Sequence, residues 1–166
     1  MRSPEPPILL IDVDGVISLF GAPQTGPAMD PTLVPALVDG VPHFLSRRAG
    51  ERLRSLADVF ECVWCTGWEE RAEEHLPGLL GLPGGWPHLI FDEVPIPDAH
   101  WKLAAIDAHA GPSRALAWID DAHDGRCVAW AQARPGPTLL VGTDPAEGLT
   151  DEHADRLLAW AAALRP

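Results

Sequence analysis

The chain has 166 residues, 46% of them hydrophobic, enough to build the core of one globular domain and too few for two. Its net charge of -12 surrounds it with a negative field that disfavours non-specific attraction to nucleic acid or anionic lipid, so a polyanionic substrate must be held locally. The N-terminal stretch lacks a basic region, and the apolar run at residues 8–11 is too short for a signal peptide or membrane span; a soluble, cytoplasmic protein without a membrane partner is expected.

Residues 8–12 form a short apolar run ending in Asp12-Val13-Asp14-Gly15, the pattern of a buried parallel strand that delivers polar groups at its C-terminal end. The following segment, 16–46, is long for a strand-to-helix connection. Within it, apolar runs at 33–38 and 41–45 flank Asp39-Gly40, a two-residue hairpin signal, so a β-hairpin flap is expected after the first strand. A helix is expected over 47–58, with Leu53, Leu56 and Ala57 apolar and Arg47, Arg48, Arg52 and Arg54 clustered on it. Such a cluster is ordinarily a solvated face; Arg47 and Arg48 are its candidates for holding phosphate.

A strand over 60–65 carries Cys62-Val63-Trp64-Cys65. The CxxC spacing serves zinc and redox sites, but zinc needs four ligands and no second pair follows. Thiols three apart on a strand also point to opposite faces, which predicts two buried core cysteines. Three cysteines make an odd count that suits a reducing compartment. Thr66-Gly67 follows the strand, then a helix over 69–76 and a Gly/Pro-rich loop over 78–87 that lacks the Gly-Lys-Ser/Thr ending of a phosphate-cradling P-loop.

Further along, a strand is expected over 88–91 and a helix over 100–110 with Lys102 near its start. A strand over 116–119 then runs into Asp120-Asp121, a helix covers 125–134 and a strand covers 138–141. The last helix begins after Thr150, an N-cap followed by Asp151 and Glu152, which complement the helix dipole. Strands alternating with helices predict a three-layer α/β sandwich around a parallel, Rossmann-like sheet. The expected organisation is a single domain over 1–166, with the flap at about 16–46.

The chemistry gathers at the strand ends, where ligands bind in open α/β sheets. A carboxylate at Asp12 can attack phosphorus, splitting one difficult displacement into two easier ones. Asp14, two residues on, can protonate the leaving oxygen and later deprotonate water, while Gly15 turns the chain without a side chain crowding the phosphate. Asp120 and Asp121 can join Asp12 in a hard-oxygen site suited to Mg²⁺. Thr66 and Gly67 offer a hydroxyl and an unobstructed N–H to a phosphate oxygen, and Lys102 can neutralise charge between Asp12 and the phosphoryl group. Each element has a bland counterpart: a turn for DxDG, helix caps for Thr66 and for Asp120-Asp121, and a solvated lysine for Lys102. Together they balance charge, since several carboxylates and a phosphate dianion cannot gather without cations.

In their order and spacing, these four elements resemble the motifs of the haloacid dehalogenase-like (HAD) superfamily, over nearly the whole chain from Ile8 to about Val141. That resemblance implies Asp12 as nucleophile and metal ligand, and Asp14 as general acid/base whose backbone carbonyl also reaches Mg²⁺. Thr66 would bind phosphate, Lys102 would hold nucleophile and phosphate, and Asp120, with Asp121 nearby, would complete the metal shell. Val16 stands where many family phosphatases have Thr. The wording of the segments around Asp12, Thr66, Lys102 and Asp120, including His100-Trp101-Lys102 and Ala117-Trp118-Ile119-Asp120-Asp121, is similar to small HAD domains of RNA-repair proteins, which are expected to remove phosphates from broken nucleic-acid ends.

Where a family member would carry a cap domain, the sequence offers only the flap and the short link at 92–100 before Lys102, so a capless site open to a large substrate is expected. Trp68 and Trp101 adjoin two motifs and are candidates to stack on a base or sugar, with ordinary packing as the alternative in a chain of seven tryptophans. The expected activity is Mg²⁺-dependent phosphomonoester hydrolysis through an aspartyl phosphate, on nucleic-acid ends or nucleotides. The alternatives are a small-metabolite phosphatase and a binding or regulatory module that keeps the fold without useful turnover. The sequence leaves the oligomeric state open.

Overall fold

The computed structural model describes residues 5–91 and 99–165. Four parallel strands form the central sheet in the order β4-β1-β5-β6: β1 (Ile8–Ile11), β4 (Glu61–Trp64), β5 (Leu116–Asp120) and β6 (Thr138–Gly142). The ladders place Ile11 beside both Trp64 and Ile119, so β1, β4 and β5 end at one level. Continuous apolar runs suit these strands because both faces of the sheet are covered. On one face Leu9, Ile11 and Cys62 pack with side chains of α1 (Arg47–Leu56), α2 (Glu70–Leu80) and α5 (Asp151–Ala163). On the other, Ile8, Leu10 and Cys65 pack with α3 (Leu103–Ala110) and α4 (Gly125–Ala133). The result is the expected three-layer sandwich.

Cys62 and Cys65 therefore belong to opposite cores and are both buried and free. Burial pushes the Cys62 thiol up to about 12 and raises Cys65 as well, so neither offers a thiolate.

The flap is an antiparallel pair, β2 (Leu33–Val38) and β3 (Val41–Ser46), closed by Asp39 and Gly40, both at positive φ as a tight primed turn requires. Its base is tied to the segment after β1, because Leu19 donates to the Phe44 carbonyl and Ser46 to that of Ile17. Its tip is tied to α2 through an Asp39–Arg71 ion pair of 2.9 Å. The described chain carries no cap domain, and residues 92–98 of the link expected before Lys102 lie outside the described residues.

Several expected boundaries move. The strand expected over 88–91 reduces to a single bridge between Trp64 and His88. Pro87 has no N–H to extend the ladder, and the Phe91 N–H goes instead to the Glu69 carboxylate at 3.0 Å. The helix expected to stop at 76 runs to Leu80 and through Pro77, ending at Gly81 in the left-handed conformation. Leu76 and Leu80 are buried, and this apolar face carries the helix into the region expected to be loop. His100 and Trp101 precede α3 and do not belong to it.

Candidate active site

The candidate functional side chains come from the strand ends and the turns that follow them. β1 delivers Asp12, β5 delivers Asp120, the turn after β4 supplies Thr66, and Lys102 N-caps α3. All four are buried. Lys102 is the centre of the arrangement: its Nζ lies 3.1 Å from Asp12 Oδ1 and 2.6 Å from Asp120 Oδ2. Asp120 is fixed from two further sides, since the Trp118 indole N–H donates to Oδ2 at 3.1 Å and the Ala122 N–H to Oδ1 at 2.9 Å. Asp12 Oδ1 also accepts the Val13 N–H at 2.9 Å.

Burial pushes the Asp12 carboxyl up to about 7; Lys102 pulls it down, and the Asp120 charge adds to the rise. Burial alone would lower the Lys102 pKa, but the Asp12 and Asp120 carboxylates outweigh it and the ammonium is held above its ordinary value. Asp121 is raised by burial and then by Asp120. Carboxylate oxygens of Asp12, Asp120 and Asp121 lie within 4.8 Å of one another. A hard divalent cation fits such a set of oxygen donors, with three carboxylates converging beside one ammonium. Gly15 makes the room: its φ is +75°, and a Cβ there would overlap the Asp121 carboxylate.

Asp14 differs from Asp12 in being exposed, as an acid that must meet leaving group and water would be. Its Oδ2 accepts the Trp68 indole N–H at 3.1 Å, and its Oδ1 lies 4.0 Å from His43 Nδ1 on the flap. His43 in turn meets Ser18 Oγ at 2.9 Å and sits 4.6 Å from the Trp68 ring, centre to centre. Trp68 is thus a buried support for Asp14, in the position where a stacking surface for substrate was one expectation. Thr66 is not the helix cap its position also allows: its hydroxyl accepts the Trp68 N–H at 3.3 Å, and α2 starts from Glu69 at a φ of 50°.

The structure brings together Asp12, Lys102, Asp120 and Asp121, with Gly15 against Asp121, and places Thr66 and Gly67 at the end of the neighbouring strand. Arg47 and Arg48 are exposed at the start of α1, and among the described residues no contact joins either to the aspartate cluster. Arg52 and Arg54 of the same helix are committed elsewhere, to Asp151 and Leu149 and to the Leu80 carbonyl. Sequence reasoning missed His43, which no motif marks, and Thr143, whose hydroxyl donates to the Gly15 carbonyl at 2.8 Å. Thr143 directly follows β6, so the strand-end pattern that exposed the other residues applied to it too.

The family model for the HAD domain of Swiss Army Knife RNA repair proteins matches residues 8–154. The chain belongs to this family. Membership points to a hydrolase of the HAD type, and the aspartate cluster suits the metal such a domain uses. No curated protein matches the chain. Among the described residues no helix is long and apolar enough to cross a membrane.

Proposed function

We propose that this HAD domain is a Mg²⁺-dependent phosphomonoesterase that works through an aspartyl phosphate on Asp12 and acts on nucleic-acid ends or nucleotides. The observation that carries the reading is the buried Lys102 ammonium shared by Asp12 and Asp120 at the ends of adjacent strands. A cation placed there can hold the nucleophile and meet the charge of a phosphate.

Among the described residues both side-chain contacts of Asp12 fall on Oδ1, which leaves Oδ2 to attack phosphorus. As the new P–O bond forms, the ester bond breaks and the departing oxygen takes a proton from Asp14. The Asp14 carboxylate then takes a proton from water, whose oxygen attacks the acyl phosphate, releasing inorganic phosphate and restoring Asp12. Thr66 and the Gly67 N–H would bind phosphate oxygens, and Lys102 would hold nucleophile and phosphate together. Asp12, Asp120 and Asp121, with the Asp14 carbonyl, would hold the Mg²⁺, which when bound neutralises carboxylate and phosphate charge. The Trp68 indole N–H would orient Asp14, and His43 brings the flap alongside the general acid.

A nucleic-acid substrate is supported by the family's description and by the missing cap. Arg47 and Arg48, exposed where α1 leaves the flap, would hold backbone phosphates against the negative field of the chain. The test is a panel of phosphomonoesters run on the wild type and on Asp12→Asn, after chelation and again with Mg²⁺ restored. Turnover that needs both Asp12 and Mg²⁺, with labelled phosphate trapped on Asp12, supports the reading. Wild-type rates in Asp12→Asn would refute it.

A further inference from the structure

Seven tryptophans are distributed through the described residues, and six are buried or partly buried. Trp101 is the exception, with half of its surface open to solvent. It is also the tryptophan nearest the chemistry in sequence, adjoining Lys102, and in space its ring centre lies 5.0 Å from Lys102 Nζ. The outer edge of its six-membered ring approaches Gly67, where a Cβ would come within 3.8 Å of Cη2. An exposed indole therefore borders both the ammonium and the backbone expected to hold phosphate.

The ring is held from behind. Phe91 packs edge-on against it at 4.7 Å, and His100 lies nearly parallel at 6.1 Å. Phe91 is itself anchored, because its N–H donates to the carboxylate of Glu69, a residue kept at a φ of 50° that non-glycine residues seldom adopt. An apolar surface that is both exposed and fixed costs little to order when a ligand arrives. Trp68, the other candidate, is buried and occupied with Asp14.

We propose that Trp101 is a stacking platform for the nucleobase next to the scissile phosphate, so that the favoured substrates carry a nucleoside and not a bare sugar or alkyl group. The inference rests on the phosphatase reading above. A phosphate seated at Lys102 and Thr66 leaves its ester substituent beside the indole, within reach of a ring one sugar away. Stacking requires only a π-face, so all four bases should serve, the larger purines somewhat better. Recognition of this kind selects nucleic-acid ends without reading their sequence, and it adds no charge to a protein that already repels polyanions.

The experiment measures kcat/KM for nucleoside 3′- and 5′-monophosphates, ribose 5-phosphate and phenyl phosphate with the wild type, Trp101→Ala and Trp101→Phe. The wild type should prefer nucleotides over ribose 5-phosphate by about 5- to 150-fold, the range of a single base stack. Trp101→Ala should erase most of that ratio, and Trp101→Phe should keep most of it. Equal efficiency on nucleotide and sugar phosphate in the wild type overturns the proposal. So does a Trp101→Ala variant that slows both by the same factor, or a preference for phenyl phosphate over every nucleotide. Binding of the same ligands to Asp12→Asn, with and without Trp101→Ala, separates the two readings. If no substrate turns over, the phosphatase reading falls, and the nucleotide-to-sugar affinity ratio alone still decides the platform.

Discussion

Replacing Asp12 by Asn tests the electrostatics of the site independently of its catalysis. In the folded, metal-free protein the Asp12 carboxyl is held at about 7, against 3.8 for an unperturbed aspartate. A folded-state pKa above the unfolded value means that the native state binds the proton more tightly, so stability declines as pH rises between those values. From pH 5 to above 7 the loss is about two pH units at 1.36 kcal/mol each, or about 3 kcal/mol. His123 works against it, since burial depresses its pKa to about 4 and the native state loses stability as pH falls below the ordinary value of 6.5. The two slopes oppose each other in the wild type, and only the difference between wild type and variant isolates Asp12. Urea unfolding at pH 5 and pH 8 in the presence of chelator should therefore find Asp12→Asn gaining about 3 kcal/mol on the wild type between the two conditions. Saturating Mg²⁺ should shrink that gain, because a bound cation favours the ionised carboxylate. A stability difference that is the same at both pH values would show that Asp12 is not held protonated by its burial.

Trp68→Phe keeps the ring but removes the N–H that holds Asp14; it should slow hydrolysis of alkyl phosphates by about tenfold, the scale of one hydrogen bond to a charged group, while barely changing that of 2,4-dinitrophenyl phosphate. Equal losses on both leaving groups would mean that Trp68 supports the fold and not the acid. Gly15→Ala places a Cβ into the Asp121 carboxylate at a backbone angle unfavourable to alanine, so it should destabilise the protein by about 1–3 kcal/mol and weaken Mg²⁺ binding measured by calorimetry. Unchanged affinity and stability would place Asp121 elsewhere in solution. Reversing both Arg47 and Arg48 to Glu should erode any preference for a phosphate-ended oligonucleotide over a mononucleotide, and rising salt should erode it in the wild type. An oligonucleotide preference indifferent to both changes would remove these arginines from the substrate path.

The sequence by itself determined the alternation of the fold and the order of its candidate site residues. Buried parallel strands must be apolar throughout, so the residues where each run stops, Asp12, Thr66 and Asp120, are marked by local composition. The hairpin was legible for a similar reason, because Asp39-Gly40 supplies the two positive-φ positions the turn needs. Tertiary structure decided the rest. Whether residues 88–91 form a strand depends on competition for backbone hydrogen bonds, and Glu69, distant in sequence, takes one of them. How far α2 runs depends on what Leu80 packs against, and the core cluster it joins includes α1, whose Gly50 closely approaches it. The same holds within the site. Adjacency of β1 and β5 brings Asp12 and Asp120 together around Lys102 at the start of α3, and tying the flap base to the segment after β1 sets His43 beside Asp14. Trp68 and Trp101 flank their motifs alike in sequence, but one turns inward to hold an acid and the other remains open at the mouth. Side-chain direction and burial are set by what the rest of the chain packs against, and local sequence does not contain that information.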